Sequence, residues 1–88
     1  MLSINEAREF LRIDGTDNDT VIEPLLSAIP DYIEITTGMS AAQQDTEPLV
    51  TTVSKFILQL WYFAEHSESD KLQRTIDGLL KAITVKVI

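Results

Sequence analysis

The sequence predicts an all-α fold: a compact bundle of about four helices ending in a short extended C-terminal tail. Apolar residues return at intervals of three and four in four separate stretches, the spacing that lines one face of a helix. Helix start and stop signals separate those stretches, and the alternation expected of a strand is confined to residues 82–88. A chain of 88 residues fits one domain, 1–88, with no room for a second core.

Ser3 and Glu6 have capping-box spacing, so a short first helix is expected to run to about Arg12, with Ile4, Ala7, Phe10 and Leu11 turned inward. Asp14-Gly15-Thr16-Asp17 then turns the chain. A second helix is predicted from near Asn18 to Thr37, carried by Ile22, Leu25, Leu26, Ile29 and Ile33 and closed by Gly38 in a left-handed cap. Pro24 and Pro30 oppose it, each at about 3 kcal/mol in a helix interior, and predict a bend near Leu26 without a break.

Residues 39–45 read as a short polar loop, and Thr46 before Glu47-Pro48 as the N-cap and first turn of a third helix. Leu49, Val53, Phe56, Leu60 and Ala64 form its main stripe. Apolar character continues around it through Val50, Ile57, Leu58, Trp61, Tyr62 and Phe63, leaving Thr52, Lys55, Gln59 and His66 as a narrow polar line. Such a helix is either central or covered by a partner. After a polar break at His66–Ser69, a fourth helix is expected from about Asp70 to Lys81 on Leu72, Ile76, Leu79 and Leu80, weakened by Gly78. The remaining Ile83–Ile88 alternates as a strand would, with no second strand in the chain to pair with it.

Composition narrows the function classes. Fourteen acidic residues against seven basic leave a net charge of −7, which repels the phosphate backbone and argues against a grip on nucleic acid. The charge is unevenly placed: residues 1–70 hold thirteen acids and three bases, residues 71–88 one acid and four bases. With no cysteine, disulfides and thiolate catalysis are out, and so small a core gains most readily from packing against further copies. No basic leader followed by an apolar run opens the sequence, and no stretch approaches the ~20 apolar residues of a membrane span, so a soluble, intracellular chain is expected.

Candidate chemistry is sparse. His66 has no second histidine and no cysteine to complete a site, so a helix-end or surface role is expected of it. The carboxylate pairs Asp17/Asp19 and Glu65/Glu68 lack an EF-hand loop and read as solvated helix ends. The three glycines lie too far apart to cradle a phosphate, and no catalytic residue, cofactor or metal is expected. Trp61 and Tyr62 read either as core or as aromatic anchors of a subunit contact. Lys71, Arg74, Lys81 and Lys86 read either as solvated helix-end cations or as a docking surface for an acidic neighbour. Val85 and Val87, in the tail, are either frayed or added as a strand to an adjacent subunit.

Three stretches in order resemble a known family. They are Leu2-Ser3-Ile4-Asn5-Glu6-Ala7-Arg8-Glu9-Phe10-Leu11-Arg12-Ile13-Asp14, the run from Asp19 through Ile22, Leu25 and Leu26 to Tyr32-Ile33-Glu34-Ile35-Thr36-Thr37-Gly38, and Leu58-Gln59-Leu60-Trp61-Tyr62, with Leu79-Leu80 beyond. Together they look like the phage head-tail connector family, also described as phage DNA-packaging proteins. Phe63-Ala64-Glu65-His66 departs from the family's Glu-Asn-Arg after Trp-Tyr, and Pro30 stands where small helix formers are common. The resemblance implies a structural virion protein of a tailed phage or prophage, made in the bacterial host cytoplasm and placed at the head-tail junction. It would form a ring of about a dozen subunits between the portal protein and a tail-side completion protein, with DNA passing through unbound. The competing expectation is a small DNA-packaging regulator of helix-turn-helix type, suggested by the tight Gly15 turn between the first two helices and opposed by the acidic balance.

Overall fold

The computed structural model describes residues 2–63 and 69–87, and every regular element among them is a helix. In chain order these are α1 (Ile4–Leu11), α2 (Asp19–Thr37), α3 (Ala41–Gln44), α4 (Pro48–Tyr62) and α5 (Ser69–Val87). One apolar cluster joins them, drawing Ala7 and Leu11 from α1, Ile22, Leu26, Ile29 and Ile33 from α2, Val50, Val53, Ile57 and Leu58 from α4, and Ile76, Leu80 and Ile83 from α5.

The start of α1 is the expected capping box: the Glu6 N–H donates to Ser3 Oγ and the Ser3 N–H to Glu6 Oε1, each at 3.1 Å. The backbone bond to Ser3 holds the Glu6 carboxyl below its ordinary range. The reversal begins earlier than Asp14. Arg12 takes a left-handed conformation, φ 59°, with its N–H on the Glu9 carbonyl at 3.2 Å and the Ile13 N–H on the Arg8 carbonyl at 2.9 Å. That bond pair normally ends a helix on glycine.

Helix α2 runs unbroken through Pro24 and Pro30 to a left-handed Gly38, φ 81°. Burial explains the survival: Ile22, Leu26, Ile29 and Ile33 are all inside the core. At about 1.5–3 kcal/mol per side chain, burial contributes roughly 6–12 kcal/mol. Two interior prolines cost roughly 6 kcal/mol.

The stretch read as a polar loop contains α3, a single turn with its own capping box between Ser40 and Gln43. Its last residue, Gln44, is buried and donates from Nε2 to the carbonyls of Pro30 and Met39, both at 3.0 Å, which ties the connection onto α2. The cap of α4 is Glu47, whose carboxylate accepts from the Leu49 N–H at 3.3 Å, with Pro48 in the first turn. Thr46, expected in that role, donates its hydroxyl to the Gln43 carbonyl at 3.1 Å and closes α3 instead.

Of the two readings offered for the apolar third helix, the central position holds: α4 packs on α1, α2 and α5. Its innermost line is Val50, Val53, Ile57 and Leu58, while Leu49, Phe56 and Leu60 of the expected stripe are half-buried. Ala64 lies outside the described residues.

The expected extended tail at 82–88 is corrected: α5 continues to Val87, and the described residues contain no strand. Ile83 completes the spacing Ile76, Leu80, Ile83 on the face turned to the core and is fully buried, whereas Val85 is 69% exposed. Burying one isoleucine on a helix face outweighs an alternation that has no strand to pair with. Thr84 donates its hydroxyl to the Leu80 carbonyl at 2.8 Å, and Lys86 Nζ reaches Glu47 Oε1 at 3.0 Å, fastening the end of α5 to the start of α4.

Candidate functional site

Among the described residues no group of three or more His, Cys, Asp or Glu is placed to hold a metal ion. The open cleft beside α1, lined by Asn5, Arg8, Glu9, Arg12, Ile13 and Asp14, is polar and of mixed sign. Of its two cations Arg8 is already in use, because its guanidinium clamps Asp19 with two bonds, Nε to Oδ1 at 2.9 Å and Nη2 to Oδ2, and donates a third to Asn5 Oδ1 at 2.8 Å. The Arg8 bonds hold the Asp19 carboxyl below its ordinary range and raise the guanidinium in turn. The guanidinium bonded to both Asp19 oxygens neutralises that carboxylate and opposes a second cation at the Asp17/Asp19 pair. His66 and the Glu65/Glu68 pair lie outside the described residues.

The remaining candidates are surfaces. On α4, Trp61 and Tyr62 are half-buried and both lean on the core. Trp61 meets the Tyr32 ring of α2 edge to face at 5.5 Å between centroids, and Tyr62 meets Phe63 likewise at 4.9 Å. Phe63 is the more open of these aromatics, at 40% exposure.

On α5, the predicted residues come together. Lys71, Arg74, Lys81 and Val85, with Gly78 between them, follow one another at intervals of three and four and are all exposed, on the side opposite Ile76, Leu80 and Ile83. The side chain of Val87 lies outside the description. Lys86 belongs to a different face, where Glu47 takes it up; this bond is the main reason the Glu47 carboxyl sits below its ordinary range.

The outward face of α2 is the counterpart in sign. Asp19–Thr37 contains no lysine or arginine, and Glu23, Asp31 and Glu34 are exposed along it beside Val21, Pro24, Ala28 and Ile35. No residue of that face figured among the sequence candidates. The signal was available, since nineteen consecutive residues without a base are visible in the sequence. The single turn α3 and the Glu47–Lys86 fastener needed the folded chain.

A search of the curated proteins and a search of solved structures found no match. A family model described as phage gp6-like head-tail connector protein matches residues 1–85. That span takes in α1 to α4 and all but the last two residues of α5. The chain therefore belongs to the phage gp6-like head-tail connector family, structural proteins of the phage head-tail junction.

Proposed function

We propose that this chain, acting as one unit over residues 1–88, is a subunit of a ring that joins the portal of a tailed phage or prophage head to the tail and forms part of the DNA channel. The family match over residues 1–85 carries this reading. Two features support it. The charged faces of α2 and α5 are left to solvent, and a net charge of −7 per subunit suits a passage through which DNA must slide without sticking. The portal protein on one side and a tail-side completion protein on the other are the partners, with further copies of the chain alongside.

Trp61, Tyr62, Lys71, Arg74, Lys81 and Val85 are the proposed contact residues, and Val87 extends the group to the end of α5. Helix-turn-helix DNA binding is the weaker reading, because α2, which would have to enter the groove, carries Glu23, Asp31 and Glu34 outward and no base at all. The test is to mix purified protein with portal particles of the same phage and examine the product by sedimentation and electron microscopy. A density ring added to the portal is expected. A chain that stays monomeric and ignores the portal at every concentration would sink the reading.

A further inference from the structure

Resting on the connector reading, we propose that the outer face of α5 on one copy docks in antiparallel register against the outer face of α2 on the next copy. The two faces match in length, charge order and shape. Lys71 to Val85 and Thr20 to Glu34 each span about 21 Å, at 1.5 Å per residue.

Set antiparallel with Gly78 over Ser27, the faces align. Lys71 lies over Glu34, Arg74 over Asp31, Lys81 over Pro24 and next to Glu23, and Val85 over Thr20. All of these positions, together with Gly78 and Ser27, are exposed on their own subunit. None of Lys71, Arg74 and Lys81 makes an ion pair with another described residue, and neither do Asp31 and Glu34; Glu23 only adds to the field felt by Arg8. Asp77, beside this stripe on α5, accepts from Gln73 Nε2 at 2.9 Å.

Gly78 fits the same picture. A Cβ built on it would meet nothing within 4 Å, so no neighbour in its own subunit requires a glycine there. A second helix crossing at that point does: Gly78 against Ser27 and Ala28 brings two backbones close, and the flanking cations then reach the carboxylates. Exposed Val85, at 69%, covers the methyl of Thr20 at one end, and Ile35, at 84%, receives the aliphatic stem of Lys71 at the other. The pairing is heterologous, one face meeting a different face, as a ring requires.

Cysteine is absent from the chain, so single substitutions give a clean cross-linking readout. Ser27→Cys and Gly78→Cys variants are mixed under mild oxidant, both free at high concentration and bound to portal particles. A disulfide between the two variants is expected, with little product from either alone. Adding Arg74→Asp to the Gly78→Cys partner should reduce the yield by at least ~10-fold, and Asp31→Arg on the Ser27→Cys partner should restore it. Circular dichroism of each variant checks that the helices remain. Portal binding or ring formation without the 27–78 cross-link overturns the pairing and leaves the connector reading standing. The cross-link and charge-swap rescue in a chain that ignores the portal would keep the pairing and remove that reading. Equal self-cross-linking of the single variants would mean a two-fold contact and would also overturn the proposal.

Discussion

Arg12 holds a left-handed backbone conformation that costs a residue with a Cβ about 1–2 kcal/mol, and its side chain is exposed. Arg12→Gly should therefore raise stability by about 1 kcal/mol, seen as a higher urea midpoint at unchanged slope. The charged contacts act through pH. Glu6, Asp19 and Glu47 are all held below the ordinary carboxylate range by Ser3, Arg8 and Lys86 respectively. The folded state therefore binds protons less readily than the unfolded chain, and the stability these groups contribute is present in full above that range and is lost as pH falls through their lowered values. The urea midpoint should stay level from about pH 7 to pH 5 and fall below about pH 4. Asp19→Asn should lower it at neutral pH and shrink the acid-side fall. A fall of the same size in wild type and variant would remove Asp19 from the account.

At the scale of elements, α5 has two opposed duties, with its inner face in the core and its basic face outside. Ile83→Ala should cost about 2–5 kcal/mol, the range for removing a buried isoleucine side chain, where Val85→Ala should shift the midpoint little. Removing residues 82–88 takes Ile83 and the Lys86–Glu47 fastener together, so loss of the cooperative helical transition is expected, measured by circular dichroism on urea titration. The four long helices were legible because each buries a stripe at helical spacing over eight or more residues. The tail was not, since Ile83-Thr84-Val85-Lys86-Val87 fits both periods locally, and only the position of Ile83 relative to Ile76 and Leu80 on the assembled core decides between them. The α3 turn was hidden for a related reason: Ser40 and Gln43 form a capping box, but the turn has no apolar stripe, and Gln44 finds its two carbonyl partners only after α2 is in place. The basic half of the candidate surface was visible as a charge imbalance after residue 70; the acidic half went unnoticed because acids are spread along the whole of residues 1–70.

For the whole molecule, the acidic surface sets how it meets nucleic acid. Duplex DNA at about 0.15 M salt should show no shift with this protein at micromolar concentration, and a shift that weakens with salt would restore the helix-turn-helix reading. The prolines of α2 have a consequence for how the molecule opens. A helix with two prolines, several β-branched residues and no acid-base pair along its length has little tendency to form alone. Only its contacts with the rest of the core hold it. Its amide protons should consequently exchange with solvent water as one group, at the rate set by global unfolding, with no slower-opening fragment of α2 surviving when α4 and α5 come away.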